Sequence, residues 1–261
     1  RQLQRQPRYR KPCHAMNPTH AIILSAGLGT RMRPLTETMP KPLIAVQGKP
    51  LIDWCLDWVQ QASIAQVVVN TSYRAQQLED YLALRRRAPR IHFSREEPVP
   101  LETGGGIAKA LPLLGQQPFV SMNSDAIFPP QPLHPITRLQ QAWDDTLDFV
   151  MLLVPRAQAI GWQGQGDFIC DAAGRIRRPH AGEEAPYIFT GAQIMHPRVF
   201  AGCPSGAFSL SKFWNARIGA DGWYERIRAV IHTGAWVNVG DLAGLAAAED
   251  YLGGASIGSR I

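Results

Sequence analysis

From residue 20 onward, short runs of β-branched and aliphatic residues alternate with stretches of helical periodicity. This rhythm predicts an α/β domain built on a largely parallel sheet. Ala21 to Ser25 reads as a buried first strand, and Pro50 to Ser63 as a helix with Ile52, Cys55, Leu56 and Val59 on one face, spaced for burial against a sheet. Val67 to Asn70 is a second strand. Gln76 to Arg87 follows as a helix with Leu78 and Leu82 inward, its Arg85-Arg86-Arg87 end read as a solvated helix C-terminus. Ile91 to Ser94, Phe119 to Met122 and Asp148 to Val154 supply further strands. After Pro155 turns and short alternating runs take over: Phe168 to Asp171 and Arg175 to Arg178 predict a hairpin about Ala172-Ala-Gly174, and Tyr187 to Met195 a return strand. No internal repeat or composition break divides the pattern, so residues 16–261 are expected to form one domain.

Composition narrows the function classes. A chain of 261 residues with 45% hydrophobic positions can bury a core unaided. Its longest apolar runs fall far short of the roughly 20 residues that span a bilayer, so no membrane partner is expected. The net charge of +6 invites a nucleic-acid reading, yet Arg1, Arg5, Arg8, Arg10 and Lys11 sit in an acid-free N-terminal segment. Removing those five leaves +1 for the remainder, too little for a phosphate-backbone footprint, and no nucleic acid is expected. Residues 1–15 are expected to be a disordered basic extension, either upstream of the true start at Met16 or a presequence, though no apolar stripe supports the latter. Cys13, Cys55, Cys170 and Cys203 form no C-x-x-C pair and read as free thiols of a reducing compartment.

Candidate chemistry collects at five places. The first strand runs into Ser25-Ala-Gly27-Leu28-Gly29-Thr30-Arg31, a glycine-rich turn at the strand end where parallel sheets bind ligands. A phosphate cradle and a simple tight turn both fit, because neither G-x-G-x-x-G nor the P-loop pattern is complete. Met39-Pro40-Lys41-Pro42 holds a lysine between two prolines, which would aim the ammonium group or merely stiffen a surface loop. Leu101-Glu102-Thr103-Gly104-Gly105-Gly106 opens a helix, and three glycines suit either close approach to a flat base or a hinge. Phe119 to Asp125 is a hydrophobic strand ending in an acid that could hold Mg²⁺ or cap a turn. Trp236-Val-Asn238-Val-Gly240-Asp241 ends beside a helix start, where Asp241 could be the cap.

In this order and spacing the five elements closely resemble the sugar-1-phosphate nucleotidyltransferases, from about Ala21 to about Tyr251. The Leu101-to-Ile107 motif, with Gly164-Gln-Gly166-Asp167-Phe168 and Phe208-Ser-Leu210, is most similar to the N-acetylmuramate α-1-phosphate uridylyltransferases of cell-wall recycling. The resemblance implies a Rossmann-like nucleotidyltransferase fold with a mixed, mostly parallel central sheet flanked by helices. It also implies a bacterial cytoplasmic enzyme, monomeric or a small homo-oligomer, that joins a nucleoside triphosphate to a sugar 1-phosphate with Mg²⁺ as cofactor. Carried over by position, Gly27, Leu28, Gly29, Thr30, Arg31 and Lys41 would hold the triphosphate, and Glu102, Thr103, Gly104 and Gly105 would read the base. Asn123, Gly166 and Asp167 would face the sugar, Asp125 and Asn238 would bind the metal, and Arg31, Lys41 and Asp125 would carry the catalytic charge.

Two positions depart from the resemblance. Asn238 stands where an acid is common, and Ser124 where glycine is frequent. An amide carbonyl still ligates Mg²⁺ but brings no charge, so weaker metal affinity is expected. The competing readings are a mannose-1-phosphate guanylyltransferase, which shares the signature, and a nucleotide-sugar sensor without catalysis. A dinucleotide-dependent oxidoreductase fails on the incomplete glycine motif. Trp54, Trp58 and Trp214 are expected in the core, with Trp162 and Trp223 flanking the site.

Overall fold

The computed structural model describes residues 17–132 and 134–258, and side chains to 254. The expected N-terminal extension, with Cys13, lies outside the described residues. Seven strands form the central sheet: β1 (His20–Leu24), β2 (Gln66–Thr71), β3 (Arg90–Arg95), β4 (Phe119–Asn123), β5 (Phe149–Pro155), β6 (Tyr187–Met195) and β7 (Ile227–Ile231). Their spatial order is β7-β5-β6-β4-β1-β2-β3. The β1–β2, β1–β4, β2–β3 and β5–β7 pairs are parallel, whereas β6 runs antiparallel to both β4 and β5. The sheet is thus mixed and mostly parallel, as the pattern predicts.

Both faces of this sheet are covered, which is why its strands read as continuous apolar runs. On one face Ala21, Ile23, Val67, Val69, Val120 and Met122 pack with α1 (Leu51–Gln61), α2 (Ala75–Ala83) and α4 (Pro135–Ala142). On the other, Ile22, Val68 and Phe119 meet α3 (Glu102–Leu114) and the aromatic residues Phe168, Phe208, Trp214 and Tyr224 of the elaborated second half. A smaller cluster of Met32, Ile44, Val46, Val237, Val239 and Ala248 attaches the final helix, α5 (Leu242–Gly258), beside the strand end at Asn238. The expected hairpin forms between Ile169–Cys170 and Ile176–Arg177. Among the described residues no helix is long and apolar enough to cross a membrane.

The structure corrects the reading of residues 76–87. The helix ends at Ala83, and Arg85 is not a solvated terminus: its side chain is 9% exposed and donates to Asp53 at 3.0 Å and Asp57 at 3.3 Å. Those carboxylates lie one turn apart on α1, so a residue that reads as surface charge in sequence becomes a bolt between two helices. Burial pushes Asp57 up, but the donors Lys49, Arg85 and Arg87 outweigh it and hold the carboxyl below its usual range. Asp148 works similarly: it is not part of β5 but accepts from Arg198, Arg217 and Arg226, tying the second half to the sheet.

Two histidines beside α4 make folding pH-sensitive. His134 caps α4, its Nδ1 accepting from Thr137 N–H, and His232 lies fully buried against Phe128. Burial lowers both from 6.5 to about 4. The folded protein then binds fewer protons than the unfolded chain between about pH 4 and 6.5, so their contribution is complete above that window and lost on acidification through it. Thermal unfolding at pH 7.5 and pH 5 should show the fall in Tm reduced by roughly 5 °C in a His134→Gln/His232→Gln variant relative to the parent chain.

Candidate active site

The C-terminal ends of β1, β2 and β4 open into a cleft of about 480 Å³, a size that suits a nucleotide. It is floored by the turn after β1. Gly29 there adopts φ +64°, and a Cβ on it would fall 2.9 Å from Thr36 Cγ2 and 3.2 Å from Lys41 Cβ, so only glycine lets the turn close over the lysine segment. Thr36 Oγ1 donates to the Gly29 carbonyl at 2.9 Å and fastens that closure. Gly27, Leu28, Thr30 and Arg31 line the same cleft, with Arg31 exposed on a 3₁₀ turn, Thr30–Met32. A Cβ on Gly27 would meet nothing within 4 Å, so its bareness serves no contact within the described protein and leaves the floor open to a ligand.

Lys41 opens a 3₁₀ turn between its two prolines, and its ammonium group is aimed inward. Nζ lies 2.6 Å from Asp125 Oδ2, with side chains 12% and 25% exposed. Asp125 stands just past β4 beside the strand Trp236–Asn238: Asn238 registers with Ala126, and Val239 N–H donates to the Asp125 carbonyl at 2.9 Å. The Asn238 amide and the Arg31 guanidinium both flank Gly240, a further lining residue. Asp125 is among the cleft-lining residues and Asn238 is not, although its strand pairs beside Asp125; a carboxylate and an amide carbonyl are hard-oxygen donors of the kind Mg²⁺ takes, with phosphate and water completing the shell. Among the described residues no cluster of three His, Cys, Asp or Glu offers an all-protein metal cage.

On the opposite wall, Glu102 and Thr103 line the cleft, and Thr103 Oγ1 accepts from Leu210 N–H at 2.9 Å. Glu102 sits at φ +57°, a left-handed conformation that costs a non-glycine residue about 1 kcal/mol. Gly104 and Gly105 are placed differently from the expectation that they read a base. Both are buried, and both N–H groups donate to the Phe208 carbonyl, at 2.8 and 3.1 Å. A Cβ on Gly104 would lie 2.4 Å from the Phe208 ring, so the glycines admit the 206–210 segment and are not part of the cleft lining.

Asn123, the last residue of β4, lines the cleft and packs against Gly191, which at φ +84° forms an irregularity in β6. Beyond it, β6 overruns the end of β4. The Phe189 N–H there donates to Asp167 Oδ2 at 2.9 Å, past the end of β4, and neither Gly166 nor Asp167 is among the cleft-lining residues. Burial raises the Asp167 carboxyl, partly offset by that N–H and by Arg178. Gly166 is wedged against the Ala185 carbonyl, where a Cβ would collide at 1.9 Å. Trp162 packs edge-tilted on Trp236, and Trp223 lies under Arg175 and Arg177; neither is among the cleft-lining residues. Asp241 caps α5, Oδ1 accepting from Gly244 N–H at 2.8 Å.

Sequence reading missed Asn70 and Glu96. Asn70 Oδ1 accepts from Ser25 N–H at 2.6 Å and its Nδ2 donates to Glu96 Oε1 at 2.7 Å, while Glu96 Oε2 accepts from Leu101 N–H at 2.6 Å. The chain of bonds joins the glycine turn to the start of α3. Its signal was present: Asn70, like Asp125, is a polar residue closing an apolar strand.

Residues 20–162 match the family described as nucleotidyl transferase. The chain is 41% identical over 239 residues to the N-acetylmuramate α-1-phosphate uridylyltransferase of Caulobacter vibrioides, covering 90% of this chain and 97% of that protein. It is 35% identical to the enzyme of the same name from Neisseria meningitidis serogroup B, covering 89% and 98%. A UDP-glucose pyrophosphorylase solved with UDP-glucose shares the fold, with TM-score 0.75 and 18% identity over 90% of this chain and 98% of that one. On its sequence match and its near full-length relatives, the chain belongs to the nucleotidyl transferase family of enzymes.

Proposed function

We propose that the protein transfers a uridylyl group from UTP to N-acetylmuramate 1-phosphate, releasing pyrophosphate, in the bacterial cytoplasm. The observation that carries this reading is the 41% identity spanning nearly all of both chains. In the mechanism, a phosphate oxygen of the sugar 1-phosphate attacks the α-phosphorus of the triphosphate in line, and the bond from that phosphorus to the bridging oxygen breaks. The attacking phosphate is already ionised at neutral pH, so no protein nucleophile or general base is required.

The turn Gly27 to Arg31 is positioned to take the phosphates, with its open floor and the Arg31 guanidinium at its rim. Lys41, held by its prolines, supplies a fixed cation where charge develops on the α-phosphate. Asp125 pairs with that ammonium at 2.6 Å. Asp125 and Asn238 would hold Mg²⁺, which would supply charge neutralisation for the phosphate oxygens. Glu102 and Thr103 would form the wall for the base, and Asn123, with Asp167 beyond it, would face the sugar. The sensor reading draws on Asn238, where one negative charge is missing.

Release of pyrophosphate from UTP and N-acetylmuramate 1-phosphate with Mg²⁺, but not from GTP and mannose 1-phosphate, is the expected result; the converse pattern would favour the guanylyltransferase, and UTP binding with no release in either mixture the sensor. Asp125→Ala should lower kcat by about 10³-fold or more. Asn238→Asp should lower the Mg²⁺ concentration for half-maximal rate by about tenfold, measured by metal titration at saturating substrates. Lys41→Met should depress turnover yet tighten Mn²⁺ binding to the nucleotide-free protein, read by electron paramagnetic resonance, since Asp125 then has no resident cation.

A further inference from the structure

We propose that Arg178 selects for acceptors bearing a carboxylate, an assignment that rests on the sugar 1-phosphate reading and specifies the residue behind its choice of sugar. N-Acetylmuramate differs from the neutral amino sugar N-acetylglucosamine by a lactyl ether that ends in a carboxylate, so an enzyme that favours it needs a cation near the sugar ring. The cations already placed, Arg31 and Lys41, belong to the phosphate end of the cleft.

The topology locates the sugar end. β4 stops at Asn123 while its antiparallel neighbour β6 runs on, and the Asp167 carboxylate accepts from the Phe189 N–H in the overrun. Asp167 alone would repel an anionic acceptor. Arg178 lies against it: Nη1 donates to the Asp167 main-chain carbonyl at 3.1 Å and stands 3.7 Å from its Oδ1. The guanidinium rests over the Phe168 ring, 4.3 Å from its centroid, and the side chain remains 41% exposed. Stacking fixes the plane of the guanidinium, and the carbonyl occupies one donor of its fork, which leaves the others free to grip a carboxylate through two hydrogen bonds.

The neighbouring arginines are otherwise engaged. Arg177 forms a two-pronged pair with Glu183, at 2.6 and 2.7 Å, and its side chain is only 16% exposed. Arg175 donates to Asp171 at 2.8 Å. Arg178 contacts a carboxylate only at 3.7 Å, with no hydrogen bond to it, so an incoming anion need not displace a tight partner. Arg156, exposed on the 3₁₀ turn that follows β5, serves as the control.

The test compares kcat/KM for N-acetylmuramate 1-phosphate and N-acetylglucosamine 1-phosphate, with UTP and Mg²⁺, in the parent protein and in Arg178→Gln, Arg178→Lys and Arg156→Gln. Binding of UDP-N-acetylmuramate and UDP-N-acetylglucosamine by calorimetry gives the same ratio without turnover. Arg178→Gln should lose about 30-fold on the acid sugar, mainly through KM, and stay within about threefold on the neutral one; Arg178→Lys should recover part of the loss, and Arg156→Gln should keep the parent ratio. Equal losses on both sugars would make Arg178 merely a support for Asp167 and overturn the assignment, as would an unchanged ratio or a ratio that collapses in Arg156→Gln. A parent protein that turns over and binds the neutral sugar in preference overturns the acceptor reading itself, and the assignment falls with it.

Discussion

A buried carboxylate holds the cleft together. Glu96 is 1% exposed and accepts from Asn70 and from the Leu101 N–H, while Asn70 accepts in turn from Ser25. Three segments distant in sequence, the glycine turn, the end of β2 and the entry to α3, are thereby fixed at one point. A carboxylate in that position must have its donors supplied by the protein, since burying it without them would cost several kcal/mol. The requirement works in both directions: the segments satisfy Glu96, and Glu96 sets the distance between the glycine turn and the opposite wall. Gly106 completes the arrangement, because a Cβ there would stand 2.4 Å from Glu96 Oε1.

Charge in the cleft is arranged around this frame. Lys41 and Asp125 line the same cleft, and each neutralises the other across 2.6 Å. Neither then carries an isolated charge in a partly buried place, which would be expensive. In the proposed reaction, a phosphate and a divalent cation would replace this one internal pair by two external ones of the same sign pattern. Pairing between polyanion and protein can therefore occur without net charge being stranded at any stage.

The second half of the chain, which the proposed function makes the sugar side, is built by a different route. β6 is the antiparallel member of the sheet, and because it overruns β4 it offers a backbone N–H beyond the strand end, where Asp167 attaches. Asp148 with its three arginines and the aromatic pairs Phe168–Tyr224 and Phe189–Trp214 hold this overhang against the sheet. The hairpin that carries Arg178 is thus mounted on a rigid base.

Much of this was legible in the residues alone. Apolar runs such as Val67–Val69 and the stripe Ile52, Cys55, Leu56, Val59 marked the strands and helix correctly, since burial on a sheet face imposes a period the sequence must carry. The glycine turn, Lys41 between its prolines, and the acid ending β4 were likewise visible, because each is a local backbone requirement. Less legible were the partners. Arg85 read as solvated and Gly104 and Gly105 as a base platform, but Asp53, Asp57 and Phe208 lie elsewhere in the chain and claim them. Asn70 and Glu96 escaped notice because neither sits in a motif; their role exists only when β2, β3 and α3 are brought together. The sequence by itself determined the elements, their faces and the local chemistry of the turns, all set by interactions within a few residues. Tertiary structure alone decided which charges are paired, which glycines face a ligand and where Asp167 and Arg178 stand, because those outcomes depend on distances between segments that only the folded sheet defines.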